Sequence, residues 1–355
     1  MATVEYRQTG CVGLFDTDET LARLSRLGNP LAKLSSAVDF EMFRPLLEGR
    51  MLNRGRKGPA GCKPRDVVMM FKAILLKRLY NLSDEQTEYQ IGDRLSFKEF
   101  LGLSSGDRVP DARTLWLFQD RLAQGRLGEG PFALFRARLE GLGLIVNEGK
   151  IVDASFAEAP RQRNGREENE AIKSGAGAGL WADAPHKRRQ KDIDARWAQK
   201  DGVNHYGYKN HVKADAGSKL IDAYAVTSAE VHDSRAVDGL VVAGDAGQEP
   251  CGDNAYVGKA TQEALRAKGV VARVTERASR GHPPAEAQRE SNRLKSKVRA
   301  RVEHIFGFAC NSMGGLRVRT VGLLRATLAI GLANLAYNLC RYEQIVRLGL
   351  LPVKG

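Results

Sequence analysis

The sequence has little that would cross-link or anchor it. Its five cysteines, Cys11, Cys62, Cys251, Cys310 and Cys340, are scattered without a CxxC pair. That excludes a disulfide framework and a cysteine zinc site, and fits a reducing cytosol. The six histidines never fall at zinc-ligand spacing. The opening MATVEYRQTG carries no basic-then-apolar leader, so a cytoplasmic location is expected. The longest apolar stretch, near Leu323 to Leu339, is interrupted by Arg325, Thr327 and two asparagines, and no membrane span is expected. The loop RGRKGPAGCKPR lacks the Gly-Lys-Ser/Thr ending of a nucleotide-binding loop, and SGAGAG neither follows a strand nor opens a clear helix. Nothing therefore calls for an organic cofactor. Acid is also in short supply. Forty-two Asp and Glu against 55 Lys and Arg leave a net charge of +13. Such a surplus favours a polyanionic partner, nucleic acid above all. An anionic membrane surface is the rival, but the cations are spread over several segments and not gathered in one juxtamembrane cluster.

What is present is globular: 43% hydrophobic and 27% charged residues over 355 positions, enough for two domains. Residues 1–143 read as successive helices. Asp16 and Thr17 can cap the first, and Pro64 suits the first turn of a helix carrying Val67, Val68, Phe71, Leu75 and Leu79 inward. Ser83 with Gln86 and Ser96 with Glu99 form two capping boxes, and Pro110-Asp111 opens another helix. The expectation is an all-α, helix-turn-helix-like domain. Nine cations against one acid between Arg50 and Arg78 concentrate charge there. Arg54, Arg56, Lys57, Lys63 and Arg65 lie in a Gly- and Pro-containing loop suited to following a phosphate backbone; the bland alternative is a solvated basic linker.

Near Leu144 the pattern turns extended. Residues 144–320 read as a mixed α+β domain: a strand through IVDASF, a polar insert at about 158–200 expected to be flexible, two strands joined by Ala216-Gly217-Ser218, then helix, strand, helix, strand, helix. Residues 321–355 hold a last helix expected to pack on that domain. The basic helix Asn292–Phe308 aligns Leu294, Val298, Val302 and Ile305 on one face and surrounds a single carboxylate, Glu303, with Lys295, Lys297, Arg299 and other cations. Arg299 precedes Glu303 by one turn and can pair with it. On its own this window is equally well an ordinary core helix with a solvated basic side.

Three acids stand out by position. Asp153 lies inside an otherwise apolar strand, where a carboxylate needs compensation. Asp253 follows a short extended segment, and Glu303 is on the basic helix. Two aspartates on adjacent strands with a glutamate on a helix packed against them can hold two divalent ions, and carboxylate oxygens suit Mg²⁺ and Mn²⁺. Singly, each acid is an ordinary structural residue; their order within a β-β-β-α-β-α-β-α succession is what is specific. Lys209 on its strand can reach a phosphate, with a half-solvated sheet face as the plain alternative. His232-Asp233 can line the site or cap a helix, and Trp181 and Trp197 can stack on a base.

The blocks IVDASFAEAP, HYGYKNHVKADAGSKLIDAYAVTSAEVHDS, GDNAYVG and RARVEHIFG, with the helical stretch beginning PRDVVMMF, resemble the DDE transposases of bacterial insertion sequences, in particular the insertion-sequence-five group. The resemblance covers nearly the whole chain. It implies an RNase H-like catalytic domain in which Asp153, Asp253 and Glu303 hold two Mg²⁺ ions, with Mn²⁺ able to substitute. The implied partners are double-stranded DNA, both terminal inverted repeats and target, with a homodimer on DNA. A nuclease that cuts without joining, or a catalytically silent DNA-binding protein, are the alternatives. Two departures stand against the family's glutamate signature. Ser296 and Cys310 occupy its Tyr and Lys positions, leaving Lys295, Lys297 or Arg317 to take those roles. GDAGQEPCGD is also poor in aliphatic residues, which makes Asp245 the fallback for Asp253.

Overall fold

A computed structural model of the chain describes residues 15–51, 63–125, 129–145, 149–241, 245, 251–252, 259–270, 273–274 and 286–351, with mostly the backbone alone at 251–261, 273–274 and 286–299. Before the first strand come α1 (Asp16–Arg26), α2 (Pro30–Ala37), α3 (Arg44–Met51), α4 (Val67–Leu79), α5 (Asp84–Asp93), α6 (Leu95–Leu101), α7 (Ala112–Gln124) and α8 (Gly130–Gly141). Side chains start several of them. Asn29 accepts from Leu31 N at α2, Asp66 from Val68 and Met69 N at α4, and Asp111 from Thr114 N at α7. Ser83 and Gln86 form the expected reciprocal box at α5.

Three expected starts differ. Asp16 is the first residue of α1, whose N-cap position is held by Phe15. Pro64 stands two residues before the Asp66 cap instead of in the first turn of α4. Ser96 falls inside α6, because α5 leads through one extended residue, Arg94, directly into Leu95.

The sheet comprises β1 (Lys150–Glu158), β2 (Arg196–Lys200), β3 (Val203–Asp215), β4 (Ile221–Ser228), β5 (Cys251–Gly252) and β6 (Arg273–Val274). β3 runs antiparallel to β1 along one edge. Its other edge pairs β2 over Val203–Gly207 and β4 over Tyr208–Ala214. β5 joins the free side of β1 in parallel, and β6 joins β5 in parallel. The polar insert is ordered where flexibility was expected. It holds α9 (Arg166–Lys173), α10 (Pro185–Gln190) and β2. Trp181 anchors it: its Nε1 donates to Glu168 Oε1 at 2.7 Å, and Lys187 and Lys191 sit over its ring. Trp181 is thus a structural residue of the insert. Trp197 is half exposed, leaning on Tyr206 with Arg161 over its ring.

After β4 come α11 (Asp233–Leu240) and α12 (Lys259–Ala267), followed by α13 (Glu286–Asn311) and α14 (Leu323–Arg347). α14 is long and apolar enough to cross a membrane, yet 72% of its apolar window is buried inside the protein. It packs on α2, α4, α7 and α8 as well as on β4 and α13. One apolar cluster therefore runs from Leu31 to Ile345, across the change in pattern near residue 144. Two asparagines set the rotation of α14. Asn334 and Asn210 exchange amide hydrogen bonds of 2.8 and 3.0 Å, and Asn338 closes both backbone groups of Ile221 at 2.8 Å.

Gly207 makes the β1–β3 pairing possible. Its φ of +144° is one that side chains disfavour, and a Cβ there would collide with Ala157 O and lie 2.7 Å from Ala159 N. Gly207→Ala is expected to cost at least about 3 kcal/mol, backbone strain and overlap combined. Urea denaturation of the two proteins checks this, and equal midpoints would show that the strands can separate without penalty.

Candidate active site

β1 turns alternate side chains to opposite faces of the sheet. Ile151 enters the large core shared with Val302 and Ile305 of α13, while Val152 packs with Val237, Leu240, Val241 and Leu265 on the other side. Asp153 shares the face of Ile151, and α13 packs against β1. Asp153 is half-buried, and its Oδ1 accepts from Ala154 N at 2.8 Å. Glu303 is exposed on α13, next to the fully buried Val302. The two acids thus stand on elements that pack together. Asp253 lies outside the described residues. It follows directly on β5, whose last residue, Gly252, lies opposite Val152 in parallel register. Asp245, the fallback, is buried on the other side of the sheet in an ion pair with Lys213.

The expected phosphate-contacting cations divide. Arg54, Arg56 and Lys57 lie outside the described residues, as do the side chains of Lys295, Lys297 and Arg299. Arg65 donates to the carbonyls of Arg108 and Val109 at 2.8 and 2.9 Å, tying its loop to the start of α7, and Lys63 stands two residues before it. Lys209 donates to Val231 O and to Asp233 Oδ1 at 2.8 and 2.9 Å, so its ammonium holds α11 to the sheet. The cap of α11 is His232, whose Nδ1 faces Ser234 N; Asp233, expected there, is the first helical residue. The expected half-solvated face of β3 is closed, with Tyr208 and His211 fully buried. His304 turns its Nδ1 to the Tyr337 hydroxyl at 3.3 Å, toward the core.

A buried charge cluster lies on the side of the sheet opposite Asp153. The extra residue of a bulge in β4, Asp222, accepts from Arg136 Nε at 2.9 Å and lies 3.1–3.2 Å from the Nζ atoms of Lys213 and Lys150. Lys213 also donates to both oxygens of Asp245 at 2.8 and 3.0 Å. Burial pushes the Asp222 carboxyl up, but Lys150, Lys213 and Arg136 outweigh it and hold the group below the usual carboxylate range. Sequence reasoning passed over this cluster. The available signal was two lysines, Lys150 and Lys213, within strands whose neighbours are apolar. The cluster fixes the start of β1, β3 and Asp245 relative to one another.

The donors at the site fit a hard divalent cation better than a soft one. They are carboxylates, one half-buried at a strand and one at the surface of the adjoining helix. Among the described residues no three His, Cys, Asp or Glu side chains group closely enough to hold a metal ion. Two of the three expected ligands are in that set.

Residues 146–339 match the family described as "Transposase DDE domain", and residues 19–121 match "Transposase domain (DUF772)". Among solved structures, a piggyBac transposase synaptic complex with hairpin DNA is similar at 12% identity and a TM-score of 0.47. That match covers 92% of this chain and 77% of the other.

The face behind the site predicts a pH dependence. His211 is fully buried, its Nε2 lies 2.9 Å from Thr227 Oγ1, and burial pushes it down to about 4 against the pull of Asp233. An unfolded histidine titrates near about 6.5, so between these values the unfolded chain binds the extra proton. Stability from neutral His211 is therefore complete above about pH 6.5 and lost as pH falls toward 4, by up to about 3 kcal/mol. Melting temperatures from pH 7.5 to 4.5 should fall more steeply for the natural chain than for His211→Gln. Parallel curves would remove His211 from the account.

Proposed function

The chain belongs to the DDE transposases, and on that footing we propose that it cuts DNA at the ends of an insertion sequence and joins the freed 3′ ends to target DNA. The observation that carries this reading is the placement of Asp153 on β1 and Glu303 on α13, two elements in contact, with β5, which ends one residue before Asp253 in the sequence, paired to β1. Asp153, Asp253 and Glu303 are the residues proposed to hold two divalent ions, Mg²⁺ with Mn²⁺ as substitute. When bound, such ions activate the attacking water or 3′-hydroxyl and stabilise the leaving oxygen of an in-line displacement.

The protein's own part is positional. The antiparallel β1–β3 pairing and the buried Lys150–Asp222 and Lys213–Asp222 contacts hold the strand that carries Asp153. Packing of Val302 and Ile305 holds the glutamate's helix, and leaves Glu303 at the surface where a strand of DNA has access. Arg299, one turn before Glu303, is proposed to contact the scissile-strand backbone or orient Glu303, with Lys295 and Lys297 on the same helix supplying further phosphate contacts. The helical region with Arg54, Arg56, Lys57, Lys63 and Arg65 is proposed to bind the inverted repeats, as half of a homodimer that brings two ends together.

Asp153→Asn and Glu303→Gln are each expected to lower end cleavage at least about 100-fold. The comparison is that groups merely supporting a metal site already contribute 10–100-fold. Binding of the end DNA should stay within about twofold, because phosphate contacts, not the acids, supply affinity. Cleavage of labelled end-bearing duplex with Mg²⁺ and an affinity titration without it check both. Cutting at the natural rate in either variant would refute the assignment, and cleaved ends that never join to a target would reduce the protein to a nuclease.

A further inference from the structure

A second basic feature lies away from the three acids. Between the C-terminal end of α4, α7, α10 and the segment leading into α14 is an open groove of about 770 Å³. Six cations line it, Lys77, Arg78, Arg188, Arg189, Arg319 and Arg325, against two carboxylates, Asp84 and Glu85. The cations are held at different depths. Lys77 pairs with Asp84 at 2.5 Å, Arg325 with Asp120 at 2.7 Å, and Arg319 donates to Asn81 Oδ1 and O at 2.6 and 3.0 Å. Arg188 is half-exposed and Arg189 exposed, both on α10.

Two observations make the groove suited to an anion. Arg78 Nε and Thr320 Oγ1, both on its lining, are buried without a hydrogen-bond partner. A buried donor left in that state is costly, and an incoming oxygen anion removes the cost. The positive charge is also crowded. Burial, with Arg78 alongside, pushes Lys77 down to about 8, and burial with Arg319 nearby pushes Arg78 down to about 10. Both shifts mark places where an added negative charge is stabilising.

The groove is tied to the catalytic strand. Glu158 N donates to Leu316 O and Val318 N to Glu158 O, so the segment bearing Arg317 and Arg319 is bonded to the end of β1. Glu158 is five residue steps along the strand from Asp153, about 17 Å at about 3.3 Å per step. One turn of duplex is about 34 Å. The end of β1, to which the groove's Arg317–Arg319 segment is bonded, thus lies within one duplex turn of Asp153. The direction in which α10 presents its arginines is fixed by the insert, where Lys187 and Trp181 both bond Glu168.

We propose that this groove binds the sugar-phosphate backbone of the same DNA duplex that is cut, within one helical turn of the cut, with the insert's α10 as its outer wall. The proposal rests on the DNA-cutting reading above, and adds to it a role for the insert. The alternative anion, free phosphate, is a poor match for an open trough whose cations come from three separate stretches of chain.

The test is Arg188→Gln/Arg189→Gln, two substitutions on the outer wall of the groove. Affinity for end-bearing duplex is measured by fluorescence anisotropy across a salt series, with no metal added. If both side chains contact phosphates, the slope of log affinity against log salt falls by about 1.8, and affinity drops about tenfold or more near 0.1 M salt. Ethylation interference should lose its signal at phosphates within a turn of the cut and keep it elsewhere. An unchanged slope with unchanged interference overturns the proposal, as does an equal loss for the variant in competition with inorganic phosphate alone. Arg189→Glu, a single change, should weaken binding further in the same direction if the wall faces DNA. Because binding is read without cutting, a chain that shows this loss but never cleaves supports the groove while refuting the catalytic assignment. A chain that cleaves with the groove variant unaffected does the reverse.

Discussion

The amide pair between Asn334 and Asn210 is the contact on which the architecture turns. It lies at the centre of α14, a helix buried along most of its length, and it ties that helix to the central strand of the sheet. Apolar packing alone would leave α14 free to rotate among similar solutions. An asparagine that must meet another asparagine, with Asn338 meeting the backbone of Ile221 one turn on, admits one rotation. Leaving either amide unpaired would cost about 1–3 kcal/mol. With α14 fixed, the same helix presents its remaining sides to α2, α4, α7 and α8. The helical half and the sheet are therefore not two bodies joined by a linker. They are two coats on one rod.

The face that carries Asp153 inherits its order from that arrangement and from the charges behind it. A buried ion pair is poor evidence of stability, since desolvation offsets much of the attraction. Its value here is directional. Asp222 can satisfy Arg136, Lys150 and Lys213 together only if β1, β3 and the β4 bulge are in register. Lys213, on β3 opposite Val152, then reaches Asp245 as well, so one ammonium links β3 to Asp245. The electrostatics of the back of the sheet and the geometry of its front are thereby one constraint.

How much of this could be read from the residues depends on where the stabilising contacts are made. Local signals were legible. The Ser83–Gln86 box, the Asp111 cap, the Ala216–Ser218 turn and the long basic helix are each settled by residues within a few positions of one another. The order of strands and helices, and with it the place of Asp153 and Glu303, followed from the same periodicities. Where the partner is distant, the reading failed. Ser96 looks like a cap until the preceding helix is known to run into it. The insert looks unstructured because few of its residues are apolar; what orders it is Trp181 on Glu168 and the pairing of β2 with β3. Lys150 and Lys213 look like solvent residues misplaced in strands until Asp222 and Asp245 are brought to them. Lys209 looked available to a phosphate, but Asp233, 24 residues away, is its partner.

The distance in sequence between Asn210 and Asn334 has a consequence for synthesis. Their separation is 124 positions, and ribosomes add about 5–20 residues per second. For about 6–25 seconds after β3 emerges, the sheet face that α14 will cover has no partner. During that interval Tyr208, Val212 and Ala214 are an open apolar surface on a nascent chain, of the kind that chaperones engage and that other unfinished copies can invade. A cell making this protein in quantity would carry that burden at every round of translation, before any DNA is met.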